Sequence, residues 1–525
     1  MTDMTAVASG KAGRREWIGL AVIALPCLLY SMDLTVLNLA VPALSADLRP
    51  SSTQLLWIID IYGFLIAGSL ITMGTLGDRI GRRRLLLIGA AAFGIASVIA
   101  AFSTSAEMLI ATRVLLGIAG ATLAPSTLSL IRNMFLDPHQ RTVAIGVWVT
   151  SYSVGGAIGP LLGGVLLQYF WWGSVFLIGV PVMVLLLALG PVLLPEFRDP
   201  QAGRLDFFSA ALSLAAVLSV IYGLKRIAED GPGWLPALTI VAGFAVGVAF
   251  LRRQRRLAHP LIDLELFRVP AFSASLAVYM LGTLVVFGAY IFIAQYLQLV
   301  LGLSPLVAGL WTLPSMASFV VGSMLVPVIA RRVRPPYVMA AGVVLASAGF
   351  GVLTQVDGAG GELGIIVIGS VIYSLGFSPV VILATDLIVG SAPVERAGAA
   401  SAISETSSEL GGALGIAVLG SIGVAVYRSV MAAGAPAGLP PEAVEVARAT
   451  LGGALAVAAQ LPDQLGVELL GTAREAFAQA FALTAAISAV IALMMAPVAV
   501  VLLRRTRTGS ASGARPPLAR VEKAG

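Results

Sequence analysis

Long apolar runs alternate with short polar breaks along the whole chain, and within each run Leu, Ala, Val and Gly follow one another continuously rather than at every second position. A helix needs roughly 20 such residues to cross about 30 Å of hydrocarbon, whereas a barrel strand shows about ten in alternation. The runs have the helical length. They predict fourteen membrane helices near 17–39, 54–76, 85–102, 107–130, 142–168, 174–194, 207–225, 234–251, 271–297, 305–330, 337–355, 363–389, 398–427 and 476–503. The first run is too long and uniform for a cleaved leader, and no small-residue cleavage site follows it, so it is expected to persist as a helix. One segment breaks the rhythm. Between 428 and 475 the apolar piece ATLGGALAVAAQL is too short to span, and a surface hairpin or helix is expected there.

Composition agrees, with 58% hydrophobic and 11% charged residues against the balance of a soluble domain. Charge then sets orientation. Of the 33 basic residues, 26 fall in the tails and even-numbered loops, six on the other side and one, Arg113, inside the fourth run. Basic residues collect on the cytoplasmic side, so both termini are expected there, in a cytoplasmic (inner) membrane. The net charge of +6 follows from the same bias and needs no nucleic-acid partner. Cys27 is the single cysteine and the two histidines, His139 and His259, sit in loops, so neither disulfide nor metal site is expected. Lys11, Lys225 and Lys523 are the only lysines, and none follows a phosphate-binding glycine loop. An ion gradient is therefore the expected energy source, with no cofactor. No nucleophile–base pair points to an enzyme, and the short basic tail offers no effector domain for a sensor.

The chain also echoes itself. DPHQR at 137–141 leads into a Ser/Gly-rich helix with GGAIG at 155–159, and APVER at 392–396 leads into another with GGALG at 411–415. Matching these aligns spans 1–6 with spans 9–14. The expected organisation is a tail at 1–16, a six-helix bundle at 17–194, an inserted helix pair with its loops at 195–270, a second six-helix bundle at 271–503 with the outer loop 428–475, and a basic tail at 504–525.

Four motifs carry a family resemblance. GTLGDRIGRRRLL at 74–86, between spans two and three, resembles the signature loop of the major facilitator superfamily. LIATRVLLG at 109–117 resembles its fourth-span motif, GGAIGPLLGG at 155–164 its fifth-span antiporter motif, and MDLTVLNLAVP at 32–42 the first-span motif of its fourteen-span drug:proton antiporters. Gly179 stands where that branch often has Asn before Val-Pro. The resemblance implies an all-α membrane protein, two six-helix bundles with two extra central helices, exporting lipophilic cationic drugs, biocides and dyes in exchange for protons, as a monomer. It also implies a cytoplasmic latch at Asp78 and Arg82, beside Arg79, and a coupling role for Arg113. A dedicated natural-product exporter is the alternative, and a proton-coupled nutrient carrier is disfavoured by GPLLGG and the several acids.

The residues support a reading of their own. Gly155, Gly159 and Gly163 at four-residue spacing make a smooth packing face, and Pro160 bends it. Arg113, deep in an apolar run, needs a partner. Asp33, Asp60, Glu405 and Glu409 lie inside apolar helices, with Asp386 nearer a helix end. An intramembrane carboxylate is a functional candidate, because it can take a proton or a cation. Glu405 and Glu409 share a helix face, and Asp33 shares one with Tyr30, so Asp33 is expected to face a wet cavity. Tyr30, Trp57, Tyr62, Trp148, Tyr152 and Trp311 could offer a ligand flat apolar surface and cation–π contacts.

Overall fold

The computed structural model describes residues 12–503 apart from 51, 199–205, 231–232, 258–259, 263, 304, 359–361, 394–395, 435 and 437–438. His259, expected in a loop, and the basic tail 504–525 fall outside the described residues. Among the described residues there is no strand. The chain builds α1 (Arg14–Leu48), α2 (Ser52–Ile80), α3 (Arg82–Ala101), α4 (Ala106–Gly120), α5 (Leu123–Met134), α6 (Pro138–Tyr169), α7 (Ser174–Leu177), α8 (Gly179–Leu193), α9 (Phe207–Asp230) and α10 (Trp234–Gln254). It continues with α11 (Pro270–Gln295), α12 (Pro305–Ile329), α13 (Pro335–Leu353), α14 (Leu363–Ser391), α15 (Ala397–Gly434), α16 (Pro441–Ala449), α17 (Leu451–Ala458) and α18 (Asp463–Leu503).

Among the described residues, twelve segments are long and apolar enough to cross a membrane, each at an expected span. The helices at the expected fifth and seventh spans, α6 and α9, fall outside that set, Phe208–Leu224 being a shorter apolar helix. Helix breaks sit where the chemistry demands them. Gly81 adopts φ +113°, which an L side chain rarely tolerates, and turns α2 into α3. Glu196 accepts from the backbone N–H groups of Arg83 and Arg84, satisfying two of the free donors at the start of α3.

Helices α1–α8 pack among themselves, chiefly α1 on α6 and α8, α2 on α4, and α3 on α4 and α8. In the second set α11 packs on α15, α13 on α14 and α18, and α12 on α14. The internal repeat is visible in atomic contacts. A Cβ on Gly155 of α6 would collide with the Leu28 carbonyl of α1, and one on its counterpart Gly411 of α15 would collide with the Met280 carbonyl of α11. One turn on, Gly415 lies as close to the Leu284 carbonyl. Small residues let the backbones touch, which is how helices associate where lipid removes the hydrophobic drive. Gly159 and Gly163 are buried on the same helix, and the side chain of Pro160 lies outside the described residues.

Within 428–475 the described residues form the end of α15, the short helices α16 and α17 and the start of α18. With 38 and 41 residues, α15 and α18 run to about 57 and 62 Å at ~1.5 Å per residue, far more than a bilayer needs. Their excess carries α16 and α17, and Tyr427, Met431, Ala447, Leu451 and Leu469 pack there beside Tyr296 and Val300. Helices α9 and α10 form a tight antiparallel pair in which Gly243 sits against Val220 and Ala216. Asp206 and Arg253 join its basic end at 2.7 Å. Burial works against the Asp206 carboxylate, but hydrogen bonds from Ser209 and Arg253 outweigh it and bring its pKa down to about 2.

The glycine contacts give a first prediction. Gly155→Leu should lower the thermal midpoint of detergent-purified protein, with an overpacking cost of about 1–3 kcal/mol or more. Gly164→Ala, where a Cβ meets nothing within 4 Å, should leave it unchanged. Equal midpoints for both variants would mean that α1 and α6 do not depend on this contact.

Candidate functional site

The two sets of helices are held together at the end that carries the Arg79–Arg84 turn, the basic end. Asp78 pairs with Arg82 one turn on and accepts a hydrogen bond from Ala399 N at 3.1 Å. Ala399 lies in the first turn of α15, where N–H groups are free and the helix dipole favours an anion. The Arg82 side chain presses on Gly398 and is 1% exposed, with Nε and Nη1 unpaired among the described residues. Arg79 is half-buried beside this cluster. A second clasp joins α6 to α14. Arg141 Nε donates to Asp386 Oδ1 at 2.6 Å and Thr142 Oγ1 to Oδ2 at 3.0 Å, with Asp386 1% exposed.

Above these clasps lies a cavity of about 420 Å³ between the two sets. The size suits a small organic ligand. Tyr30 of α1 and Trp148 and Tyr152 of α6 form one wall; Tyr279 of α11, Phe319 of α12, Tyr373 and Phe377 of α14 and the α15 acids Glu405 and Glu409 form the other. The first wall is a row of rings packed edge to face, Tyr30 to Tyr152 at 5.4 Å and Tyr152 to Trp148 at 4.8 Å. Tyr30 Oη donates to Glu409 Oε1 at 3.4 Å, a bond that crosses from the first set to the second. Glu405 Oε1 is buried and makes no hydrogen bond among the described residues. The arrangement can surround a flat cation with π-faces and meet its charge with carboxylate.

Several expected site residues lie elsewhere. Asp33 does not face this cavity: it pairs with Arg113 Nη1 at 2.7 Å, and Arg113 is 1% exposed. Arg113 Nε also donates to the Ile58 carbonyl at 3.1 Å, and its guanidinium lies 4.4 Å from the Tyr62 ring centroid. The partner that Arg113 requires is thus Asp33, and the Tyr62 ring lies against Arg113 and does not line the cavity. Tyr30 and Asp33 are three residues apart, about 60° round the helix, enough to send one to the cavity and the other into the first set. Asp386 was expected as a weaker member of the site and is instead the acid of the second clasp. Trp57 is 42% exposed and does not line the cavity, and Trp311 is equally exposed. Helix α2 carries Asp60, whose side chain lies outside the described residues.

Sequence reasoning passed over Arg141, Thr142, Glu196, Tyr279, Tyr373 and Phe377. The repeat held a signal for one of them. Since α11 answers α1, with Met280 in the place of Leu28, Tyr279 lies one turn from the position that answers Tyr30.

Two helical sets clasped at one end around a buried, partly charged cavity define a polytopic membrane carrier. The chain belongs to the Major Facilitator Superfamily, whose match runs over residues 23–416. It is 45% identical over 491 residues to the multidrug efflux pump LfrA of Mycolicibacterium smegmatis, covering 94% of this chain and 97% of that one. It is 38% identical to the methyl viologen resistance protein SmvA of Salmonella typhimurium, covering 88% and 93%. With the tetracenomycin C resistance and export protein of Streptomyces glaucescens it shares 32% identity, covering 94% and 92%. Among solved structures it shares its fold with the human organic anion transporter MFSD10, at TM-score 0.57 and 16% identity over 92% of this chain and 99% of that one. A bacterial homologue of the lysosomal transporter Spinster, inward-facing and unoccupied, gives TM-score 0.54 and 18% identity, covering 93% and 98%. The chain is therefore a multi-pass membrane protein and not an enzyme.

Removing Arg113 alone strands a buried acid. Arg113→Leu should destabilise the purified protein by about 3–5 kcal/mol, and the double change Asp33→Asn with Arg113→Leu should recover part of that loss. Thermal unfolding in detergent checks the pair as a double-mutant cycle; strictly additive losses would show that the two side chains do not depend on each other.

Proposed function

We propose that this protein exports lipophilic cationic compounds, among them drugs, biocides and dyes, in exchange for protons by alternating access. The observation that carries the reading is the cavity between the two sets, with an aromatic wall on one side and the Glu405–Glu409 pair on the other. A carboxylate there accepts either a proton or an organic cation. Proton entry on one side then expels the cation, and no cofactor is required. The names of the 45% and 38% identical relatives, an efflux pump and a resistance protein, fit the same reading. The named export of one antibiotic by the 32% identical relative favours a second, narrower one, a dedicated natural-product exporter.

Basic residues gathered at the clasped end make that end cytoplasmic, with both termini on the same side and fourteen helices crossing. The clasps then close the inner gate, and Asp78 and Arg82 part when the cavity opens inward. Arg113 and Asp33 act inside the first bundle, 17–194, as a buried pair that changes with the state of α1. The second bundle, 271–503, carries the cation-binding acids, and the protein works as a monomer.

Ethidium efflux from energised cells should stop when a protonophore is added; efflux that continues would remove proton coupling. Glu409→Gln and Glu405→Gln should each raise the apparent KM for ethidium, since a charged contact of about 1.5–3 kcal/mol corresponds to roughly tenfold or more. Unchanged KM in both would move the cation site away from α15. At the inner gate, Asp78→Asn should slow turnover while protein still reaches the membrane, and wild-type efflux by that variant would end the latch role.

A further inference from the structure

The two sets of helices meet along two seams, one between α2 and α15 and the other between α6 and α12. At the basic end α2 and α15 touch directly, with Gly74 against the Gly398 carbonyl and the Ala402 side chain. Further out α9 lies over this seam and touches both helices. The two contacts differ in kind.

Toward α2, α9 is pinned. Leu214 and Leu218 enter a notch at Gly68, where an added Cβ would already meet Leu218 at 3.1 Å. A buried polar chain holds the basic end: Thr75 Oγ1 of α2 donates to the Leu261 carbonyl at 3.0 Å, Leu261 N donates to Gln254 Oε1 of α10 at 2.6 Å, and Gln254 Nε2 donates to Ser209 Oγ of α9 at 2.9 Å. Separating α2 from the pair would take the Thr75 donor from the buried Leu261 carbonyl, while the Gln254 bonds hold Leu261 to α9 and α10 as one unit. Toward α15, by contrast, Val220 and Leu224 cluster with Leu410, Ala413, Leu414 and Ala417. These side chains are all apolar, so a shift of α9 along α15 breaks no hydrogen bond among them. The same helix α15 presents Glu405 and Glu409 to the cavity, so α9 covers the membrane side of the wall that carries the charge.

We infer that the α9–α10 pair is a lateral seal, carried by α2 and sliding over α15, which keeps lipid out of the α2–α15 seam behind the two glutamates while the halves move. The inference rests on the alternating-access reading given above. It explains why α10 can be left facing lipid along most of its length, with Leu238, Val241, Phe244 and Val248 all exposed: the pair needs only one of its helices on the seam.

Cross-linking separates the two contacts. In a Cys27→Ser background, Ala67→Cys with Ile221→Cys ties α9 to α2, and Ala417→Cys with Val220→Cys ties α9 to α15. Each pair is bridged by a short dithiol-reactive reagent, and ethidium efflux is read before bridging, after it and after reduction. The α2 bridge should leave efflux unchanged, and the α15 bridge should abolish it until reduced. Loss of efflux with the α2 bridge, or full efflux with the α15 bridge, would overturn the proposal. Unbridged variants that are folded yet move no dye would count against the export reading alone. The seal is then read without dye, from nitroxides at Leu414→Cys and Val418→Cys. Collision with membrane-dissolved oxygen should be slower at Leu414 than at Val418, which is 45% exposed on the same helix; equal rates would overturn the seal.

Discussion

Hydrocarbon does not accept a lone charge, and the placement of charged groups in this protein follows from that constraint. Asp33 is held by Arg113 and Asp386 by Arg141 and Thr142, while Asp78 is held by Arg82 and the first turn of α15. Glu405 and Glu409 differ from these acids in their setting: they face the cavity, where Tyr30 donates a hydrogen bond to Glu409. Charges that are paired hold helices together, and charges that face a cavity are available to a ligand.

The pairs also divide by what they join. Asp33–Arg113 lies within the first set of helices and joins no part of the second. Asp78 and Asp386 each reach from one set to the other, and both do so at the basic end. Buried ion pairs add little net stability because desolvation offsets attraction. That balance suits a clasp which must open and close. The unpaired guanidinium atoms of Arg82 point the same way, since a fully satisfied Arg would be harder to release.

Glycine supplies the other half of the design. On α6 and α15 it brings backbones into contact at matching places of the two sets, and at Gly68 and Gly243 it lets the α9–α10 pair settle as a unit against α2. Each bundle can therefore move as a body, with the cavity at the surface where the bodies meet.

Much of this was legible in the sequence. Apolar length marked twelve of the expected spans, because a bilayer sets a minimum length for each; it did not show that α15 and α18 run on well beyond that length. The basic loops marked one end of the bundle, the glycine motifs announced close packing, and the repeat announced two related halves. Individual residue types also showed which groups had to have partners, Arg113 among them. What sequence could not settle was which partner. Asp33 lies 80 residues from Arg113 and Asp386 lies 245 from Arg141, distances over which no local pattern carries information. Tyr30 and Asp33 looked like neighbours on one face, yet a rotation of about 60° separates a cavity wall from a buried ion pair. Only the packing of helices against one another chose between those surroundings, because the face a helix turns inward depends on every helix that touches it.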